Sequence, residues 1–322
     1  MRKAILFFFV MSLNLTTWAL SKTFEVDGIC YSTCHGDDWQ ENGEVVVNDL
    51  SFLTGSRDYN YYKGTVIIPS QVTYNGQTYT VTGIADQAFV SQRELTTVVL
   101  PKTVREIGKR AFKWSTIRSI AFSSNGELTT IGDEAFMSCR QLMSLNLPKS
   151  VTSIGLSCFE ETPITSIKGC ESLVTIGKRA FKSCESLTEV VIPDKVETVG
   201  EMAFWSCSAL EKVVLGKSVK LLGPDAFLDC NSLRQAILND GLIEIGYEAF
   251  RGCWNLESII IPNTVTTMGY NTFKYDVGLK EVKLSESLKC IDGWTFQQTS
   301  ITKIDIPNSV TTILPYAFAE CM

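Results

Sequence analysis

A chain of 322 residues, 45% hydrophobic and 20% charged, has enough apolar surface for a continuous core, which excludes a disordered polypeptide. The formal charge of −6, with no basic cluster, disfavours nucleic acid and anionic membrane as partners. The single histidine, His35, lies outside the repeats described below, so imidazole-based hydrolysis and histidine metal ligation have no residue to use there.

Residues 1–21 begin Met1-Arg2-Lys3, continue through an apolar run from Ala4 to Val10, and end among the small residues Ala19 and Ser21. This is the layout of a secretory signal peptide, with cleavage expected after Ser21. The uninterrupted apolar run is too short to span about 30 Å of hydrocarbon. No cysteine follows the cleavage point to carry a lipid, so an exported protein, secreted or at the cell surface, is expected. Residues 22–60 carry no repeat. Phe24-Glu-Val-Asp-Gly-Ile and Glu44-Val-Val-Val read as short strands of an N-terminal β cap, because the first coil of a stack needs its apolar end covered. Gly64-Thr-Val-Ile-Ile-Pro69 and the segment from Val72 follow as strands, the latter folded into a hairpin at Asn75-Gly76, where both turn positions need positive φ.

From about Val81 the chain repeats itself. Phe89, Phe112, Phe136, Phe159, Phe181, Phe204, Phe227, Phe250, Phe273, Phe296 and Phe318 recur at steps of 22 to 24 residues, mostly 23. A period of that length predicts a solenoid, one long domain over 61–322 of about eleven coils with the last incomplete. Leu187, Val190 and Ile192 exemplify a first extended segment, and Val196 and Val199 a second that ends at Gly200. Glycine recurs there, as at Gly108, Gly132, Gly155, Gly177, Gly223, Gly246 and Gly269, and a left-handed conformation is the expected reason. The next turn reads as helical, since Pro224 after Gly223 suits a first helical position. The phenylalanines are expected to stack in the core, coil on coil at about 4.8 Å.

The combined motif, Leu-x-x-Val-x-Leu-Pro-x-Ser/Thr-Val-x-x-Ile-Gly-x-x-Ala-Phe-x-x-Cys, resembles the BspA-type leucine-rich repeat proteins over residues 61–322. Where other leucine-rich repeats carry Asn, this chain has Thr103, Ser150, Ser218, Thr264, Ser287 and Ser309, whose hydroxyls can bond nearby backbone. The resemblance implies a mainly β repeat solenoid, a right-handed stack of about 23-residue coils with short helical turns. It also implies a secreted or surface adhesin that recognises host matrix or microbial surface proteins, with no shared catalytic residues and no cofactor. The pattern is broken by Ile164-Thr-Ser-Ile-Lys-Gly169, which lacks the Ile-Pro ending, and by Asp292, which stands in the glycine slot; local irregularity is expected at both.

Six of the eleven cysteines, Cys139, Cys184, Cys207, Cys230, Cys253 and Cys321, follow the anchoring Phe by three. Equivalent residues of adjacent coils have Cβ atoms about 4.8 Å apart, beyond the 3.5–4.5 Å of a bridge, so free buried thiols filling small apolar space are expected. Cys158 reads as core, Cys170 and Cys290 as more exposed. Cys30 and Cys34 could pair with each other. Cys30-Tyr-Ser-Thr-Cys34-His35 has one residue too many for a c-type haem motif, and no metal or cofactor site is expected.

Side chains alternate along a strand, so the fifth position of the first segment points outward. There Val191, Val214, Ile237 and Ile260 form an apolar stripe, with Glu211, Lys212, Arg234, Gln235 and Glu257 around it. Two readings stand: β-branched residues suit any strand, or the stripe binds a protein ligand. Trp114, Trp205 and Trp254 near the turns are further candidates. The sequence runs out at Ala317-Phe-Ala-Glu-Cys-Met322 without a covering segment, an arrangement that would favour self-association through an open coil. The overall expectation is an exported protein-binding scaffold that is not an enzyme, with a self-associating structural component as the alternative and carboxylate or thiol chemistry as a minor one.

Overall fold

The computed structural model describes residues 23–33, 43–49 and 61–321. The leader over 1–21, Cys34 and His35 lie outside them. The described residues form about ten turns of a β solenoid, built from strands and turns with no helix.

Two parallel faces run along the stack. The second segment of each coil, from Gly83-Ile84 and Glu106–Ile107 to Thr267–Met268, joins one 13-stranded sheet. At its start lie Thr23–Val26, Ile29–Ser32 and Glu44–Asn48, the first two antiparallel and the third parallel to Gln77–Ile84. Gln71–Tyr74 pairs antiparallel with that last strand through Asn75 (φ 50°) and Gly76 (φ 81°), so the hairpin turn has the two positive φ angles that Asn-Gly favours. The leucine-type segments form the other face in shorter sheets, among them Glu189–Val191, Lys212–Val214 and Gln235–Ile237.

Between the faces runs the phenylalanine column, fully buried from Phe89 to Phe296 apart from a 1% trace at Phe181. Successive rings lie 4.9–5.6 Å apart and nearly parallel, so each Phe covers its neighbour. Burying each ring is worth about 1.5–3 kcal/mol, and no other slot contributes as much area.

The glycine slot departs from expectation. Gly108, Gly132, Gly155, Gly177, Gly200, Gly223, Gly246 and Gly269 are not left-handed. Their role is close approach: a Cβ at Gly200 would sit 2.7 Å from the carbonyl carbon of Gly177, and one at Gly269 would sit 2.4 Å from the amide of Tyr247. The left-handed residues come later in the turn and are seldom glycine, for example Arg110, Trp114, Met202 and Ser206. The expected helix is instead a chain of overlapping turns. Ala111, Lys113 and Ser115 donate to carbonyls three residues back, while Arg110, Phe112 and Trp114 donate to Asp133, Ala135 and Met137 of the next coil. A helix would point all of these N–H groups along one coil; the turn shares them, so every coil is hydrogen-bonded to the next even where it is not a strand.

Both expected irregularities occur. Gly169 (φ 78°) lies where a Cβ would fall within 2 Å of the Leu147 carbonyl oxygen, and the pair Leu145–Asn146 with Ile167–Lys168 is cut off from the following three-stranded sheet. At Asp292 the long sheet stops: Cys290–Ile291 pairs only with Thr312–Ile313. Leu314 occupies the same slot one coil later and still donates to Ile291 at 2.9 Å, so a side chain there shifts coils without forbidding the bond.

Candidate protein-binding face

The described cysteines are all free. Cys139, Cys184, Cys207, Cys230 and Cys253 have no exposed surface, and burial pushes the thiols of Cys139 and Cys184 up to about 12. They do more than fill space. Each Sγ donates to the carbonyl of a Phe in the preceding coil, as Cys184 does to Phe159 at 3.2 Å and Cys207 to Phe181 at 3.2 Å. Cys158 and Cys170 are also buried, which places Cys170 deeper than expected, and Cys290 is half-buried. Thiols with pKa values this high are poor nucleophiles, so the column is structural.

The hydroxyl ladder is partly realised. Thr103, Ser150 and Thr264 each donate at 2.6 Å to a main-chain carbonyl of the coil before. Near Ser287 that part is taken by Ser285, which donates to Val265 at 2.6 Å, and the buried Ser309 hydroxyl has no partner.

Several ion pairs lie on the turn face. Arg110 binds Glu134 at 2.9 Å and Lys113 pairs with the same carboxylate, holding it down at about 2, with the Arg110 hydrogen bond the larger cause. Asp225 is the opposite case: burial, then Glu248 and Glu201, lift its carboxyl to about 6. Asp276 sits wholly buried in the cysteine slot, where desolvation drives its carboxyl well above the ordinary range.

On the strand face the apolar stripe is where the alternation places it. Val191, Val214 and Ile237 are in register on three adjacent strands, alternating with the buried Val190 and Val213 and the half-buried Ala236. Val191 is 64% exposed, Ile237 43% and Ile260 65%, while Val214 is half-buried. Ile260 belongs to the next sheet, paired with Lys283, so a seam lies between it and Ile237. Glu211, Arg234, Gln235 and Glu257 are exposed beside the stripe, and the half-buried Lys212 reaches Glu189 at 2.9 Å. A second apolar run occupies the same slot further up: Ile67, 67% exposed, is in register with Val99 and Ala121. Aligning Val66-Ile67-Ile68-Pro69 with Val98-Val99-Leu100-Pro101 is the signal that would have found it. Trp114 and Trp254 are over half exposed, whereas Trp205 is half-buried beneath the Lys182 ammonium at 4.7 Å. The stripe is therefore apolar and rimmed by both signs of charge.

Parallel coils, a phenylalanine column and outward-facing strand residues define a leucine-rich-repeat solenoid. The family model for the BspA type leucine rich repeat region matches residues 82–211 and 203–322, and the chain belongs to that family. A solved leucine-rich repeat protein from Bacteroides ovatus is 27% identical, with 90% of each chain covered and a TM-score of 0.58. A leucine rich cell surface protein from Faecalibacterium prausnitzii shares the fold at 21% identity, over 93% of this chain and 86% of its own, with a TM-score of 0.52. No curated protein matches the chain. No helix among the described residues is long and apolar enough to cross a membrane.

Proposed function

We propose that the protein is an exported, adhesive protein-binding scaffold whose ligand lies across the strand face at Val191, Val214, Ile237 and Ile260. The observation that carries this reading is the exposure of Val191, Ile237 and Ile260, large β-branched side chains left 43–65% open. Glu211, Arg234 and Glu257 alternate in sign along the same face, a pattern suited to selecting a partner by complementary charge. The leader-like residues 1–21 support export. Recognition is non-covalent, since burial holds the thiols of Cys139 and Cys184 in their protonated, unreactive form.

The test is binding of the chain from Lys22 to a panel of extracellular-matrix and microbial-surface proteins, with a Val214→Lys, Ile237→Lys double variant alongside. Saturable binding that the variant loses, with its thermal midpoint within a few degrees of the parent, is the expected result; the lysine stems can lie along the face with their ammonium groups in water. An unfolded variant would assign these side chains to strand packing. Undiminished binding by a folded variant would move the ligand elsewhere.

A further inference from the structure

The loop from each anchoring Phe to the next strand varies by one residue, and a cavity lies beside one of the short loops. Leu142 follows Phe136 by six positions and Leu187 follows Phe181 by six, but Ile164 follows Phe159 by five. The short coil falls back between longer neighbours and leaves a notch of about 380 Å³. Thr162 and Pro163 floor it, Arg140 of the preceding coil and Glu161 stand on one side, and Ser183, Glu185 and Ser186 come from the following coil.

Two other coils are equally short, and both carry at the position of Pro163 a hydroxyl that ties the loop to the preceding coil. Thr116 Oγ1 donates to the Arg93 carbonyl at 2.8 Å, and Ser300 Oγ to the Val277 carbonyl at 2.6 Å. Proline has neither hydroxyl nor N–H, so the corresponding carbonyl, that of Arg140, has no such donor and the gap stays open.

The polar groups around this space are two carboxylates, one guanidinium and the hydroxyls of Thr162, Ser183 and Ser186. Arg140 pairs with Glu161 at 3.3 Å, and the same carboxylate oxygen accepts from Ser138 Oγ at 2.9 Å, which leaves that wall neutral. Glu185 is exposed and makes no hydrogen bond or ion pair among the described residues, and the same holds for the hydroxyls of Ser183 and Ser186. One uncompensated carboxylate and two hydroxyls free to accept call for a guest with several donors and a positive charge. A primary ammonium has three donors on a compact cation and no acceptor, whereas a guanidinium needs a flat, two-pronged partner. We propose that the notch receives a lysine side chain of the protein ligand. The proposal rests on the protein-binding reading but uses other coils than the apolar stripe.

The experiment is calorimetric titration of the protein with the peptide Gly-Gly-Lys-Gly-Gly, blocked by an N-terminal acetyl and a C-terminal amide, and with its acetyl-lysine counterpart blocked in the same way. Saturable binding of the lysine peptide, at least about tenfold tighter than the acetylated one, is expected for loss of a charge-assisted contact. Glu185→Gln should weaken it about tenfold at unchanged stability. Pro163→Thr, which restores the hydroxyl tie of the other short coils, should weaken it similarly without a fall in thermal midpoint. The Val214→Lys, Ile237→Lys variant should bind the peptide as the parent does, so failure of the strand-face reading is seen separately. Equal affinity for both peptides, absence of saturable binding, or affinity unchanged in both Glu185→Gln and Pro163→Thr would overturn the assignment.

Discussion

Asp225 offers a sharp test of how charge is held on the turn face. It is 5% exposed, sits in a left-handed conformation at φ 56°, and faces Glu248 and Glu201, which are themselves paired with Arg251 at 2.8 Å and Lys178 at 2.7 Å. Its carboxyl titrates at about 6 in the folded chain against 3.8 as the ordinary value. The folded state therefore keeps a proton that the unfolded state releases, so stability is complete below about pH 4. It falls as pH rises from 4 to 6 and is level above that. Two units of difference correspond to about 3 kcal/mol at 1.36 kcal/mol per unit. Asn has the same shape, no charge, and a tolerance for left-handed backbone, so Asp225→Asn should add about 2–3 kcal/mol at pH 7.5 and almost nothing at pH 4. Urea unfolding followed by far-ultraviolet circular dichroism at pH 4, 5, 6 and 7.5 would show the midpoints of parent and variant separating as pH rises. A difference independent of pH would refute ionisation as the cause. A variant less stable at pH 7.5 would mean that Arg251 and Lys178 stabilise the Asp225 charge more than burial penalises it.

Three further outcomes follow from the coil geometry. Gly200→Ala should cost about 1–3 kcal/mol as an overpacking change, because its Cβ meets the Gly177 backbone at 2.7 Å; thermal unfolding would show it. Ser206→Gly should instead stabilise by about 1 kcal/mol in the same assay, since Ser206 is left-handed at φ 57° and Gly252 already fills the equivalent slot at φ 76°. Asp276→Cys should stabilise by about 1–3 kcal/mol at neutral pH, because Asp276 Oδ1 accepts from Cys253 at 2.8 Å while the buried Oδ2 has no partner. Denaturant midpoints would register the last change, and a loss of stability would mean that the Oδ1 contact outweighs the stranded oxygen.

The regular part of this fold was legible because one apolar side chain repeats at a fixed step and can be buried in one way only. Phe112 to Phe296 needed no more than their spacing to be placed in a column. The glycines were located correctly and explained wrongly. Glycine serves both left-handed backbone and close backbone approach, and a single chain does not separate the two uses. In the folded chain Arg110, Glu134 and Met202, two residues later, carry the left-handed angle instead. Local preference would not put those side chains there. Their amides are claimed by carbonyls of the next coil, as Arg110 is by Asp133 at 2.8 Å and Met202 by Pro224 at 2.8 Å, and that inter-coil bond overrides the local cost. The same competition explains the missing helix after Gly223-Pro224, where Asp225 donates to Tyr247 of the next coil and no intrahelical ladder can form.

Recognition by such a stack has to come from positions that escape the repeat, because the anchoring Phe, and in most coils the Ala before it, are the same from coil to coil. Phe and Ala are common to most coils and so distinguish none of them. The outward fifth position changes instead, from Ile67 and Val99 through Asn146 and Lys168 to Val191 and Ile260, and with it the face a partner meets. Loop length is the second variable, and it is harder to see: the loop at Pro163 is one residue shorter than its neighbours, and a cavity lies beside it between Arg140 and Glu185. A hydrophobic pattern registers substitutions in the core and is blind to a gap in a loop. The stripe was therefore readable from residue types, whereas the notch required the coils to be stacked and their loops compared at the same height.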